Sequence, residues 1–183
     1  MTKTQLARVT TKPLEANYIA SIPQGTQQVL WIGCSDGNPK DSSILDLLSD
    51  ELLVVRNLGN MVIDGDLSIE TAIKHAVVDL KIRHIVVCGH YGCGVVKATS
   101  RDGLQGPWLS KLNSLYAAHE EYLNQDPAME RDRSFVELNV LDQLHSLRKF
   151  IEVTNAIEKG HLQIHGVVYD TNAEESYRVL EDQ

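Results

Sequence analysis

Three residues of the types that bind zinc follow two apolar runs of the sequence. Cys34 comes directly after Val29–Gly33, and His90 and Cys93 come shortly after His84–Cys88. Two thiolates and one imidazole suit Zn²⁺, and three protein ligands leave a fourth position for water or substrate. Structural zinc sites usually have two closely spaced ligand pairs, whereas Cys34 stands alone in the sequence. The pattern therefore predicts a catalytic zinc site formed by Cys34, His90 and Cys93.

A simpler interpretation is that Cys34 and Cys93 are ordinary buried thiols and that His90 is a loop residue. Free cysteine is among the most frequently buried residue types, so this would be the better explanation for one cysteine alone. The occurrence of three ligand types at the ends of two similar apolar runs favours the metal site.

Asp36 lies two residues after Cys34 and is expected to face the same pocket. Its carboxylate has two chemical roles open to it there. It would either occupy the fourth zinc position and close the site, or accept a hydrogen bond from water and orient that water for attack. The remaining alternative is a solvated turn residue, because Ser-Asp-Gly-Asn is a typical turn sequence.

The composition limits the class of protein. A chain of 183 residues is long enough for one domain with a full core. The net charge of -8 argues against nucleic acid or an anionic membrane as partner, because both select basic surfaces. Three cysteines, an odd number, do not make a disulfide framework, so we expect the reducing cytoplasm. The basic N-terminal segment, with no acid before Glu15, leaves a mitochondrial location as the alternative.

The elements that must position the candidate ligands can be predicted from hydrophobic patterns. Four short apolar segments without strict alternation indicate buried strands: Val29–Gly33, Leu52–Arg56, His84–Cys88 and Leu162–Tyr169. Helical periodicity predicts three helices: Ser68–Leu80 with Ser68 as N-cap, Pro107–Asn124 and Ser134–Lys159.

Strands alternating with helices predict an α/β fold, a single domain over 1–183 with a mostly parallel central sheet flanked by helices. Residues 1–28 would form an N-terminal arm or helix region. In such sheets ligands bind beyond the carboxyl ends of the strands, where the winding direction reverses. Cys34 and His90 each follow such an end, so the predicted metal lies where this architecture usually places function.

Several segments of the chain resemble one known family. Cys34-Ser35-Asp36 followed by His90-Tyr91-Gly92-Cys93 is similar to the zinc signature of the β-class carbonic anhydrases, C-x-D-x-R and H-x-x-C. Four further segments are similar to that family's motifs in the same order: Arg56–Asn60, Ser68–Ala72, Asn139-Val140 and Leu162–Asp170. The resemblance covers nearly the whole chain beyond residue 28.

The resemblance implies an α/β zinc enzyme that interconverts CO₂ and bicarbonate as a homodimer or a higher homo-oligomer. Cys34, His90 and Cys93 would be the zinc ligands. Asp36 would be a gate, bound to zinc at rest and released in the working form.

The chain departs from the family pattern in two places. Asn38 stands where the family has the Arg that draws the Asp away from the metal, and a neutral amide lacks the charged, forked contact of a guanidinium. We therefore expect Asp36 to prefer the metal and activity to be low. The family's substrate-positioning Gln before the first strand has no certain counterpart among Gln24, Gln27 and Gln28.

Two other functions remain open at this stage. The absence of Arg at position 38 favours a catalytically inactive relative that keeps zinc and has a binding or regulatory role. The same zinc chemistry would also suit hydrolysis of a related linear molecule such as CS₂ or COS.

Overall fold

A six-stranded sheet forms the centre of the protein, in the order β1-β6-β5-β4-β2-β3. The computed structural model describes residues 9–20, 26–37, 41–102, 106 and 108–181. The strands are β1 Val9–Pro13, β2 Val29–Cys34, β3 Leu52–Asn57, β4 His84–His90, β5 Gln163–Asp170 and β6 Glu175–Glu181. β2 to β5 pair in parallel, whereas β6 pairs antiparallel with β5 and with β1. The predicted α/β class with a mostly parallel sheet is confirmed.

The four predicted strands form the parallel part of the sheet. Every residue of β2 is buried, as a strand covered on both faces requires. The sequence patterns gave no indication of β1 and β6, which form an antiparallel edge. β1 has only partly buried and exposed residues, and β6 has a single buried residue, Val179. Their pairing joins Val9 to Glu181. The described part of region 1–28 therefore contributes a strand, and no helix occurs within residues 9–20 and 26–28.

Six α-helices connect the strands or cover the sheet in the described part of the chain. They are α1 Asp41–Leu45, α2 Leu67–Lys74, α3 Gly94–Asp102, α4 Ser110–Leu123, α5 Ala128–Leu147 and α6 Ile151–Glu158. None of them is long and apolar enough to cross a membrane. The short helices α1 and α3 were not predicted from the sequence.

All three predicted helices differ from the structure in their bounds or their continuity. The segment predicted as Ser68–Leu80 begins as α2 and continues as a π-helical turn, His75–Asp79. Its N-cap is Asp66, whose carboxylate accepts the backbone N–H of Ser68 at 2.9 Å, so the prediction of Ser68 as N-cap was wrong. The second predicted helix, Pro107–Asn124, corresponds to the shorter α4, and Pro107 itself lies outside the described residues.

The prediction of one helix over Ser134–Lys159 was also wrong, because α5 and α6 are separate. The N–H groups of Lys149 and Phe150 bond three residues back, to Ser146 and Leu147, which tightens the chain at the end of α5. Phe150 is then extended, at φ -78° and ψ 122°. No glycine or proline lies at this break, so the sequence carries no standard signal for it.

Helix α5 packs closely on the sheet where two neighbouring strands carry glycine. A Cβ added to Gly89 of β4 would lie 2.8 Å from Cγ2 of Val140 and 3.0 Å from Cγ1 of Val136. A Cβ added to Gly166 of β5 would lie 3.0 Å from Cγ1 of Val140. The two glycines let α5 approach the strand that ends at His90.

Gly89→Ala is expected to destabilise the protein by about 1–3 kcal/mol, because the methyl group overpacks the contact between α5 and β4. Urea unfolding of the purified variant measures this change. Adding Val140→Ala to Gly89→Ala removes the nearest contacting methyl group, so the destabilisation of the double variant should be smaller than the sum of the destabilisations of the two single variants. Strict additivity would contradict the close approach.

Two histidines and a tyrosine are linked on the sheet near the amino-terminal ends of β4 and β5. The Tyr18 hydroxyl lies 2.8 Å from Nδ1 of His165, and Nε2 of His165 lies 3.1 Å from Nδ1 of His84. Burial, with the nearby charges of His84 and Arg178 adding to it, lowers the pKa of His165 from 6.5 to about 4. Burial followed by the charge of Arg83 also lowers the pKa of His84.

The lowered pKa of His165 predicts a loss of stability in acid. Between pH 6.5 and about 4 the unfolded chain binds a proton at this residue that the folded protein does not bind. The free energy of unfolding should therefore fall by about 2–3 kcal/mol from this group as the pH falls through that range. Urea unfolding at pH 7 and pH 4.5 should show a smaller acid loss for His165→Gln than for the wild type. The exposed His161→Gln serves as control and should behave like the wild type.

Candidate metal centre

The structure brings Cys34, His90 and Cys93 together at the carboxyl ends of two adjacent parallel strands. Cys34 ends β2, His90 ends β4, and these strands pair with each other. Cys93 follows the turn after His90 and directly precedes α3. One ligand atom from each residue lies within 4.8 Å of the other two, and all three residues are buried. Asp36 is not a member of this group.

The three side chains fit a zinc ion. Two Zn–S bonds of about 2.3 Å at a tetrahedral angle would place the sulfurs about 3.8 Å apart. The Sγ atoms of Cys34 and Cys93 lie 3.8 Å apart. Nε2 of His90 is buried and has no hydrogen-bond partner among the described residues. Burying such a polar atom is costly unless it binds a metal or another partner. Sulfur and imidazole donors in this arrangement are those that Zn²⁺ prefers.

The charges of the two thiols also call for a cation between them. The contact with Cys93, the nearby His90 imidazole and the backbone N–H groups of Asp36 and Gly59 lower the pKa of the Cys34 thiol to about 4, while burial opposes this. The same contact with Cys34 and burial raise the pKa of the Cys93 thiol. Without a metal the second thiolate is disfavoured, because two negative sulfurs in a buried space repel each other. A bound divalent cation removes that repulsion and holds both thiols in the thiolate form.

Two backbone N–H groups donate to the Cys34 sulfur. One belongs to Asp36, at 3.4 Å, and the other to Gly59, at 3.3 Å. Gly59 lies in a tight turn after β3 with φ 78°, a conformation that glycine adopts without strain. The Asn57 side chain closes this turn, because its oxygen accepts the Met61 N–H and its NH₂ donates to the Met61 carbonyl. Sequence reasoning identified this segment but missed that Gly59 contacts a ligand.

The Asp36 carboxylate lies at the start of α3. Its Oδ2 accepts the backbone N–H of Gly94 at 2.6 Å. Its neighbour Gly37 lies against the imidazole, because a Cβ there would be 2.7 Å from Cδ2 of His90. Asn38, the residue on which the expected closure of the site depends, lies outside the described residues.

Arg56 holds the backbone of the segment that carries Cys34 and Asp36. Its Nη1 donates to the carbonyl of Cys34 at 2.9 Å and to that of Gly37 at 3.4 Å. Of the glutamines considered for substrate positioning, Gln28 is buried and donates to Glu51 and to the Ala20 carbonyl. These contacts lie at the amino-terminal end of β2, opposite to the ligand cluster.

The turn between His90 and Cys93 is fixed by Tyr91. The Tyr91 hydroxyl donates to Glu137 of α5 at 2.5 Å, and the Arg133 guanidinium lies 3.6 Å above the tyrosine ring. Arg133 also pairs with Asp170 at the end of β5, at 3.0 Å. Burial, followed by the hydrogen bond to Glu137, raises the pKa of Tyr91 above its ordinary value. Sequence analysis missed Arg133 and Glu137, whose helical spacing gives no indication of a link to the ligand turn.

Comparisons with known proteins agree with the geometry of this site. A family model described as carbonic anhydrase matches residues 29–175. The chain is 40% identical over 148 residues to a carbonic anhydrase of Emericella nidulans, covering 78% of this chain and 65% of that protein. It is 35% identical over 149 residues to a carbonic anhydrase of Candida albicans, covering 77% of this chain and 52% of that protein. The chain thus spans roughly half to two thirds of the length of these two relatives.

Solved structures of similar proteins show the same fold. The β-carbonic anhydrase CafD of Aspergillus fumigatus is 43% identical, with a TM-score of 0.83 over 93% of this chain and 99% of that chain. A structure described as one of two tetrameric β-carbonic anhydrases from Sordaria macrospora is 32% identical, with a TM-score of 0.77 over 85% of this chain and 80% of that chain. The matched sequence, the shared fold and the grouping of Cys34, His90 and Cys93 lead to one conclusion. This chain belongs to the β-carbonic anhydrase family, whose members are zinc enzymes.

Proposed function

We propose that the protein is a zinc-dependent carbonic anhydrase that interconverts CO₂ and bicarbonate. The grouping of Cys34, His90 and Cys93 at the carboxyl ends of β2 and β4 carries this proposal, since it supplies three protein ligands, the number with which a catalytic zinc keeps a fourth position for water or substrate. When bound, Zn²⁺ supplies Lewis acidity that makes water a nucleophile near neutral pH, for which carbonic anhydrase is itself the standard example. The relatives named carbonic anhydrase support the same reaction.

The protein's own groups would hold the metal and orient the water that reacts. The N–H groups of Asp36 and Gly59 stabilise negative charge on Cys34. The Gly94 N–H holds one carboxylate oxygen of Asp36, so the other oxygen can accept a hydrogen bond from water. In this role Asp36 orients the water that attacks CO₂. In the closed form it would instead bind the metal, as the missing Arg at position 38 suggests.

The proposal is tested by stopped-flow CO₂ hydration with the full chain loaded with zinc. Activity should disappear when a chelator removes the metal and return when zinc is added back. A protein that binds zinc fully yet does not hydrate CO₂ would contradict the proposal and would be a catalytically inactive relative. CS₂ and COS are assayed in parallel, and turnover of either one without CO₂ hydration would contradict the proposed substrate.

We also propose that the protein is a homo-oligomer, a dimer at least. β3 is an edge strand of the sheet, and the large apolar side chains of Val54 and Leu58 near it are 42% and 47% exposed. The tetrameric description of the Sordaria macrospora proteins agrees with self-association. Light scattering at micromolar concentration should give at least twice the chain mass of 20.4 kDa, and a monomeric mass would contradict the proposal.

The proposed location is the cytoplasm, with the mitochondrion as the alternative. All three cysteines are buried and none forms a disulfide, which suits a reducing compartment. The net charge of -8 supports the absence of nucleic-acid and membrane partners. Cell fractionation distinguishes the two locations.

A further inference from the structure

The peptide group that joins Leu58 to Gly59 is held by a partner at each end. Its N–H, from Gly59, donates to Sγ of Cys34 at 3.3 Å. Its carbonyl, from Leu58, accepts the indole N–H of Trp108 at 3.2 Å. A hydrogen bond accepted by a peptide carbonyl polarises the same peptide and strengthens its N–H as a donor. Trp108, which lies just before α4, is therefore connected to the Cys34 sulfur through one planar peptide group.

The next carbonyl of the same turn is held from α5. The Gly59 carbonyl accepts Nδ2 of Asn139 at 2.9 Å, and Oδ1 of Asn139 accepts Nε2 of Gln143 at 2.8 Å. The Gln143 oxygen then accepts the Val62 N–H at 2.8 Å. Asn139 and Gln143 are 1% and 0% exposed. Burying two side-chain amides is costly unless their polar atoms form hydrogen bonds. Here those hydrogen bonds hold the turn whose Gly59 N–H donates to Cys34.

We propose that Trp108, Asn139 and Gln143 are positioning residues that aim the Gly59 N–H at the Cys34 thiolate and so set the affinity and electronic character of the metal site. Residues behind the metal ligands fix ligand orientation and charge in this way, and their loss typically weakens metal binding 10–100-fold. A hydrogen bond to a thiolate lowers the energy of its lone pairs. Its loss should raise the energy of those lone pairs and leave the sulfur less firmly oriented toward a bound metal, and the loss of orientation is what weakens binding. The inference rests on the proposed zinc site but does not depend on the reaction.

The test uses Trp108→Phe and Asn139→Ala in the full chain. Zinc affinity is measured by competition with a chromophoric chelator, and each variant should bind zinc about tenfold more weakly than the wild type. The protein is also loaded with Co²⁺, and its thiolate-to-cobalt charge-transfer band is recorded. This band should move to lower energy in both variants, which a purely structural role would not produce.

Two matched substitutions separate positioning from general loss of stability. Trp31→Phe makes the same change at a buried indole whose N–H has no partner among the described residues. Leu147→Ala removes a buried side chain of α5 that makes no hydrogen bond to the Gly59 turn. Both controls should lower the melting temperature yet keep the zinc affinity and the cobalt band of the wild type.

The outcomes are distinguishable. Wild-type protein that binds no zinc would contradict the proposed zinc site itself. If the wild type binds zinc while Trp108→Phe keeps both the affinity within twofold and the band position, the positioning role is overturned and the proposed function stands. Trp108 is only partly buried, so this variant decides the question even if Asn139→Ala does not fold.

Discussion

Replacing Cys93 by alanine is expected to remove zinc from the purified protein and to lower CO₂ hydration at least ~100-fold. The substitution leaves one thiolate and one imidazole, and loss of a direct ligand should exceed the 10–100-fold effect of losing a group behind the ligands. Zinc content by metal analysis should fall from about one ion per chain to nearly none. Stopped-flow kinetics of the same preparations measures the loss of activity.

Cys88→Ala is the matched control for this experiment. Cys88 is the third buried cysteine, and its sulfur donates to the Gly89 carbonyl at 3.2 Å without belonging to the ligand group. Its replacement removes one small buried group, so we expect a modest loss of stability, about 1 kcal/mol, with full zinc content. Full retention of zinc by Cys93→Ala, or loss of zinc by Cys88→Ala, would contradict the assigned ligands.

Asn38→Arg is expected to raise CO₂ hydration at neutral pH about tenfold. The guanidinium would offer Asp36 a charged, forked contact that competes with the metal for the carboxylate. A shift of about 1.4 kcal/mol in that competition corresponds to the tenfold gain. Stopped-flow assays compare the variant with the wild type, and Asn38→Gln serves as a neutral control that should change little.

Contacts of Asp36 and of its neighbouring backbone could already keep the carboxylate away from the metal, which would contradict this prediction. The Gly94 N–H already holds one Asp36 oxygen, and Arg56 holds the backbone on both sides of Asp36. If these contacts suffice to keep the carboxylate off the metal, the wild type is already fast and Asn38→Arg is neutral or harmful. A crystal structure of the zinc-loaded wild type with water in the fourth position, together with brisk turnover, would exclude the closed gate.

The parallel part of the fold was predictable because its signals are local. β2 and β4 are buried on both faces, so each appears as a continuous apolar run, and polar ligand residues follow directly where the run ends. The rule that ligands gather at the carboxyl ends of parallel strands then brings Cys34 and His90 together without knowledge of any distance. The ligand types at that edge were sufficient to predict zinc.

The parts that were missed depend on partners distant in sequence. β1 is a strand because β6 pairs with it, and its residues Val9–Pro13 include exposed threonine and lysine that carry no strand pattern. Likewise, the contact of Asn139 with the Gly59 carbonyl joins residues 80 positions apart. Periodicity identifies Asn139 as part of a helix but cannot show which atom its amide meets.

The separation of the ligands along the chain has a consequence for folding kinetics. Cys34 and Cys93 are 59 residues apart, and the pairing of β2 with β4 brings them together, with β3 on the outer side of β2. We therefore expect the complete coordination site to form late in folding, because it requires the closure of a long loop. Zinc binds the assembled protein and stabilises it by mass action. Its contribution should accordingly appear as slower unfolding, with little change in the rate at which the chain folds.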